Sequence, residues 1–258
     1  MVEDVWVVGD VQGFLTTLQH VLQSVGVIDA AGDWCAGGST LVVVGDLVDR
    51  GPDSVGVVKF LQRVQRDAAR RGGRVVVLIG NHDMLMLAAR RFGEPFLSTW
   101  IEAGGVLEDL EALTDTDVGW LGALPALVVE RGVVFMHADA MLYLEYGGSV
   151  GEVNAAFRRV LEGDDTGAWQ RLLEQFGEHR AFSGPDGEAN VARYLTGFEV
   201  RQVIHGHTPL PRMLQAPPET VTSAYVYREG RCVNVDPGMY LGGPGFAYRV
   251  GEPPTITP

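Results

Sequence analysis

The sequence predicts an α/β protein, and three features lead to that reading. Short apolar runs, mostly β-branched, recur at Val5–Val8, Leu41–Val44, Val75–Ile79, Val133–Met136 and Val203–Ile204. Each suits a fully buried strand. Stretches with apolar residues at helical spacing separate most of them. Every run also ends in Asp, Asn or His: Gly9-Asp10, Gly45-Asp46, Gly80-Asn81-His82-Asp83, His137 and His205-Gly206-His207. A single buried strand followed by a polar loop is ordinary. Five in one chain point to the crevice beyond the carboxyl ends of an open sheet, where α/β proteins bind ligands.

The elements follow in order. After the first run, Leu15, Leu18, Leu22 and Val25 mark one face of a helix, and residues 29–39, rich in Gly, Ala and Asp, read as a loop. A second helix opens near Asp53-Ser54. Val55, Val58, Leu61, Val64 and Ala68 form its buried stripe, and Arg66, Arg70 and Arg71 favour its C-terminal end. Residues 74–79 form the third strand and feed a Met- and Leu-rich helix over 84–91, whose methionines read as core filling. Two further helices are predicted over 95–104 and 114–123. Residues 126–136 read as a hairpin turning at Arg131-Gly132, which makes the sheet mixed. Residues 143–196 are more polar and mainly helical (151–161, 166–176), broken by Gly147-Gly148 and Ser183-Gly184-Pro185. They are expected as an insertion over the sheet edge, within one domain spanning 1–258. Residues 202–205, 225–227, 232–235 and 246–250 complete the strands, and 252–258 read as a frayed tail.

Composition narrows the function. With 258 residues, 46% of them hydrophobic and 21% charged, the chain can bury a substantial core. A formal net charge of -13 disfavours sequence-independent binding to long nucleic acid, which relies on basic contacts to phosphates. It leaves a small phosphate substrate open, because bound divalent cations reverse the local charge. The acidic start, Met1-Val2-Glu3-Asp4, is not a signal peptide, and no apolar run is long enough to span a membrane. Cys35 and Cys232 sit in no metal-binding pair and are expected as two separate thiols in a reducing cytoplasm.

The strand ends carry the chemistry. Asp10 and Asp46 are hard oxygen ligands, Asn81 adds a neutral oxygen, and His137 and His207 add imidazoles. That mixed set suits Mn²⁺, Fe or Zn²⁺ and less readily Mg²⁺. Two cations about 3.5–4 Å apart activate water and clamp phosphate oxygens during in-line attack. His82 is placed to protonate a leaving alkoxide, Asp49 to orient that imidazole, and Arg50 to grip phosphate through its planar fork.

Gly9-Asp10-Val11-Gln12-Gly13, Gly45-Asp46-x-x-Asp49-Arg50-Gly51, Gly80-Asn81-His82-Asp83, His137 and Gly206-His207-Thr208 together resemble the ordered motifs of the calcineurin-like metallophosphoesterases. The set is most similar to the phosphoprotein phosphatase branch, including symmetrical diadenosine tetraphosphatases and Shewanella-like protein phosphatases. Trp120-Leu121 to Leu124-Pro125, followed by Val128 to Ala138, resembles that branch's approach to its fourth motif. The resemblance implies a four-layer α/β/β/α sandwich with two mixed sheets. It makes Asp46 the bridging ligand, Asp10 a ligand of the first metal, and Asn81, His137 and His207 the rest of the second. It implies His82 with Asp49 as the proton-donating pair, Arg50 and Asn81 as phosphate contacts, and a metal-bridging water as nucleophile.

Two departures bear on the metals. Gln12 stands where the family usually carries His, so the first site gains only a neutral amide oxygen, as in many bacterial diadenosine tetraphosphatases. Pro209 stands where many relatives outside the phosphoprotein phosphatase branch have a further His. In the insertion, Arg180 and Arg193 are candidates for a second grip on phosphate. Tyr143, Tyr146, Phe182, Tyr194 and Tyr240 could stack on a base or simply pack. His20 reads as solvated, His205 as support behind the last motif, Asp83 as a helix-start hydrogen-bonding group, and Asp236-Pro237-Gly238-Met239 as a wall behind the site. The expected function is hydrolysis of a phosphomonoester or phosphoanhydride with two divalent metals, manganese first and Fe, Zn or Mg as alternatives. The substrate would be a phosphoprotein, a dinucleoside polyphosphate or another phosphorylated small molecule. The contrary reading is a metal-poor protein that binds such a ligand without turning it over.

Overall fold

The computed structural model describes residues 3–251, so the expected tail at 252–258 lies outside the described residues. Strands β1 (Val5–Val8), β2 (Thr40–Val43) and β3 (Arg74–Val77) pair in parallel, with Val7 opposite Val42 and Val42 opposite Val76. The second sheet begins with the predicted hairpin of β4 (Leu127–Glu130) and β5 (Val133–Met136). It continues through β6 (Gln202–His205), with β7 (Tyr225–Tyr227) and β8 (Cys232–Asn234), in the order β4-β5-β6-β8-β7. The last strand, β9 (Ala247–Arg249), returns to pair antiparallel with β1 and completes the first sheet as β3-β2-β1-β9. Both sheets are therefore mixed, as expected.

Period-2 alternation sorts each strand between two cores. Val5, Val7, Val42, Val44, Val76 and Leu78 pack in one cluster with Val133, Phe135, Ile204 and Val233 of the other sheet. Their neighbours Val8, Leu41, Val43, Val75 and Val77 turn the other way and join the helical residues Leu18, Leu22, Val57 and Leu61. Strands apolar on both faces must be covered on both, and each fully buried Val or Leu contributes about 1.5–3 kcal/mol.

The helices supply those covers. Helix α1 (Leu15–Ser24) and helix α2 (Ser54–Arg70) follow β1 and β2. Asp53 caps α2 by accepting from the Gly56 amide at 2.7 Å, a cap worth about 1 kcal/mol. Helix α3 (Asn81–Phe92) starts three residues before the first apolar position. Its first turn is made of functional polar residues, and the Asp83 side chain reaches back to accept the Gly80 amide at 2.9 Å, which satisfies one donor at the helix start. Helices α4 (Phe96–Glu102) and α6 (Asp115–Gly122) match expectation. Between them is an unpredicted short helix, α5 (Leu107–Ala112), none of whose residues is fully buried, with Leu110 packed against the core.

The insertion forms α7 (Tyr143–Tyr146), α8 (Val150–Glu162), α9 (Thr166–Phe176) and α10 (Gly187–Gly197). Rather than simply capping the sheet edge, α8 lies against β4 and α10 against β6, which makes the segment the outer helical layer of the second sheet. Asn154 of α8 splints the edge strand: its Oδ1 accepts from the Ala126 and Leu127 amides, and its Nδ2 donates to the Leu127 carbonyl. A four-residue helix, α11 (Leu210–Met213), follows the last motif. Cys35 and Cys232 are both free thiols, one exposed and one buried. No helix among the described residues is long and apolar enough to cross a membrane.

Candidate metal centre and active site

The carboxyl ends of β1, β2, β3, β5 and β6 converge, and the loops after them are held in costly conformations. Gln12, Asp46, Asp49, Arg50 and His207 all have φ between 45° and 73°, a region that non-glycine residues rarely occupy. Hydrogen bonds hold these loops: the Val11 and Gln12 amides donate to the Asp46 carbonyl, and the Leu47 amide donates to the Asp83 side chain at Oδ1, 2.8 Å away. Two motif glycines are required by proximity rather than by a positive φ. A Cβ on Gly80 would fall 2.1 Å from Asp46 Oδ1, and one on Gly206 would fall 2.2 Å from Asp10 Oδ1.

Asp46 sits at the centre, 2% exposed. Its Oδ1 accepts from the His82 amide at 2.9 Å and lies 3.3 Å from His137 Nε2, while Oδ2 faces Gln12 Nε2 at 3.3 Å. Burial would raise its pKa, but His137, His82 and His207 outweigh that and bring it down to about 2. Asp10 accepts the His207 amide at 3.0 Å, which ties the first strand to the second sheet. Burial, then the nearby carboxylates of Asp236 and Asp46, push Asp10 well above the usual carboxylate range. Burial also lifts Asp236, to about 7. Three carboxylates crowded in a dry site are a strong demand for positive charge.

The imidazoles make the same demand. His137 Nδ1 faces the Val44 carbonyl at 2.9 Å and must carry the proton, so Nε2 presents a bare lone pair. That nitrogen lies 2.9 Å from Asn81 Oδ1 and 3.1 Å from His207 Nδ1, which is itself 3.0 Å from Asn81 Oδ1. Burial lowers the pKa of both histidines, keeping them in the neutral, ligating form. Among the described residues, candidate ligand atoms of Asp46, His137 and His207 lie within 4.8 Å of one another, and Gln12 Oε1 is buried without a hydrogen-bond partner. This donor set fits a divalent cation held by oxygen and imidazole.

Beside it lies the expected acid pair. His82 Nδ1 and Asp49 Oδ2 are 2.7 Å apart and both side chains are buried. Burial opposes protonation of His82, but Asp46 and the bond from Asp49 prevail and raise its pKa. A third member was not visible in the sequence: Trp100 of α4, fully buried, donates from Nε1 to Asp49 Oδ1 at 2.8 Å. A tryptophan in a predicted helix reads as core, and only the fold brings it to Asp49.

Asp10, Gln12, Asp46, Asn81, His82 and His207 line a cavity of about 140 Å³ together with Arg50, His179, Arg212 and Tyr240. Arg50 lies over the Tyr240 ring at 4.1 Å, with Arg212 over the same ring at 5.6 Å. His179 stacks on His207 with ring centroids 4.1 Å apart. Arg180 does not line this cavity; it borders a neighbouring one. Arg193 lies on the exposed side of α10 beside Thr196, away from the centre. Tyr143, Phe182 and Tyr194 are fully buried in the core and Tyr146 packs against Phe157, so Tyr240 alone of the candidate stacking aromatics faces the cavity. Tyr143 instead receives the Ala138 amide at 3.0 Å and steadies the loop after His137. His205 Nε2 meets the Tyr227 hydroxyl at 2.7 Å behind the last motif, and His20 is exposed. A larger cleft of about 790 Å³ between α3, α6, α8 and α9 lies away from the strand ends and gathers no such chemistry.

The sequence pattern of calcineurin-like phosphoesterases (Metallophos) matches residues 4–211, most of the chain. The chain belongs to the calcineurin-like phosphoesterase family. It is 28% identical over 173 residues to a Janthinobacterium protein named symmetrical bis(5'-nucleosyl)-tetraphosphatase, a match covering 66% of this chain and 54% of that one. It is 26% identical over 223 residues to PrpE of Bacillus velezensis, named asymmetrical bis(5'-nucleosyl)-tetraphosphatase, covering 84% and 77%. Relatives at 39% and 33% identity match over 83 and 78 residues, only 25% and 20% of their own lengths. Among solved structures, a cold-active protein-tyrosine phosphatase of a psychrophilic Shewanella superposes with a TM-score of 0.76 at 23% identity, covering 97% of this chain and 76% of that one. That likeness establishes the metallophosphoesterase fold.

Proposed function

We propose that this calcineurin-like phosphoesterase hydrolyses a phosphomonoester or a phosphoanhydride at a centre of two divalent cations, manganese first among the candidates, in the cytoplasm. The observation that carries the reading is the meeting of bare ligand atoms from Asp46, His137 and His207 beside the bonded pair of His82 and Asp49. Asp46 would bridge the two ions, Asp10 and Gln12 would hold one, and Asn81, His137 and His207 the other. When bound, the cations supply an activated water and neutralise the charge that builds up on the phosphoryl oxygens.

The remaining roles belong to side chains. Arg50 would grip the phosphoryl group from the cavity wall, and Asn81 would add a contact at its base. His82 uses Nδ1 for Asp49, leaving Nε2 to deliver a proton to the departing oxygen as the P–O bond to it breaks. A new P–O bond to water oxygen forms on the opposite side, so no phosphorylated enzyme is needed.

The test is phosphate release with Mn²⁺ from diadenosine tetraphosphate, from phosphotyrosine and phosphothreonine peptides, and from p-nitrophenyl phosphate in parallel. His82→Asn should keep its metal and lose most of the turnover. Metal binding without turnover of any of these substrates by the unmodified protein would refute the reading and leave a binding protein.

A further inference from the structure

A second cavity of about 380 Å³ adjoins the catalytic one, lined by Arg180, Ser183, Met213, Tyr225, Tyr227 and Arg228. The two cavities share walls made of consecutive residues: His179 with Arg180, and Arg212 with Met213. They are also mechanically joined. Asp139, two residues after His137, accepts the Arg180 amide on Oδ2 at 2.7 Å and the Thr208 hydroxyl on Oδ1 at 2.6 Å. One buried carboxylate thus fixes the Arg180 loop to the loop that carries His207.

The second cavity is built for negative charge. Arg180 is held at φ 67°, a conformation that costs free energy and is kept here by the Asp139 bond. Arg228 donates to the carbonyls of Phe182 and Gly184, at 2.9 and 2.8 Å, and so clamps the turn that presents Ser183. The Ser183 hydroxyl is buried without a hydrogen-bond partner. Among the described residues, no carboxylate forms an ion pair with Arg180 or Arg228, nor with Arg50 or Arg212 in the first cavity. The first cavity also holds the carboxylates of Asp10 and Asp46, whereas the lining of the second has two guanidinium groups and no carboxylate, in a chain of net charge -13.

We infer that the second cavity binds a further anionic group of the substrate, and that the preferred substrate is a polyphosphate chain such as a nucleotide or dinucleotide carries. This rests on the proposed phosphohydrolase reading and specifies its substrate. A lone phosphomonoester would leave the Arg180 guanidinium and the Ser183 hydroxyl unused. A chain with more than one phosphate places the scissile group between Arg50 and the metal centre and the next group beside Arg180. Bidentate guanidinium contacts suit phosphate oxygens, and the polar lining offers little to an apolar peptide side chain.

The test compares kcat/KM for diadenosine tetraphosphate with that for p-nitrophenyl phosphate in the unmodified enzyme, Arg180→Gln and Ser183→Ala. The expected result is at least a tenfold fall in the ratio of the two for Arg180→Gln, through KM, and a smaller fall for Ser183→Ala. An equal loss on both substrates, or no loss on either, would overturn the inference. So would a doubly phosphorylated peptide preferred over the dinucleotide with the same dependence on Arg180. If the unmodified protein cleaves nothing, the phosphohydrolase reading has failed, and the cavity is judged by titrating tripolyphosphate into the full chain in chelator. Binding that Arg180→Gln weakens fivefold or more would support the cavity's role. Binding indifferent to Arg180, or none, would end it.

Discussion

Replacing Trp100 by Phe tests whether the acid pair works as a unit of three. The indole is fully buried and donates to Asp49 Oδ1 at 2.8 Å, while Asp49 Oδ2 engages His82 at 2.7 Å. Phenylalanine keeps most of the ring volume and removes the donor. Asp49 is 1% exposed, so water cannot easily replace that donor. A hydrogen bond to a charged buried group is worth about 1.5–3 kcal/mol. If the whole loss reaches the transition state, kcat falls roughly 10- to 150-fold, at about 1.4 kcal/mol per factor of ten. The loss should be larger for an alkyl phosphate than for p-nitrophenyl phosphate, because only the poorer leaving group needs the full help of His82. Metal content, measured by elemental analysis, should not change, since Trp100 touches none of the candidate ligands. Steady-state kinetics with the two substrates decides it. A kcat within twofold of the unmodified enzyme on both would show that Trp100 does nothing for His82 beyond packing.

Three other outcomes are expected. Asp46→Asn, which removes the charge shared by the proposed ions, should lower bound metal to one equivalent or fewer and abolish measurable turnover; full metal occupancy by elemental analysis would contradict the bridging role. Stripping metal with chelator should lower the thermal midpoint by roughly 5–10 °C, from about 2.7 kcal/mol of linkage at a hundredfold excess of ligand over Kd and about 2–4 °C per kcal/mol for a chain of this size. Calorimetry with and without Mn²⁺ reads that shift, and an unchanged midpoint would mean that no tight site exists. Asn154→Ala removes three hydrogen bonds from the edge strand β4 and should cost about 2–3 kcal/mol in urea unfolding. Its cost should appear in stability, with catalytic constants close to those of the unmodified enzyme.

Much of the architecture was legible because hydrophobic periodicity is local. The unbroken apolar runs Val5–Val8 and Val75–Ile79 are enough to predict strands covered on both faces, and the limits of α9, 166–176, follow from its stripe alone. Where such a signal is missing, prediction failed for a physical reason. The first turn of α3 is polar because its residues are turned to the site, so the apolar pattern marks that helix three residues late. The five strand-end motifs could likewise be read in order, and the fold delivers all of them to one place.

What the sequence by itself determined was the set of strands, their polar ends, and the residue types that a metal-dependent phosphoesterase needs. Tertiary structure decided which side chains meet. Trp100 reaches Asp49 across 51 positions, and Arg212 joins Arg50 over Tyr240, while Arg180 is turned into a second cavity and Arg193 away from both. It also decided that Tyr143, Phe182 and Tyr194 are core rather than binding surface. The reason is that a periodic stripe reports only how a segment faces its own layer. The pairing of side chains from different layers depends on how the sheets and helices stack, and no local spacing encodes that.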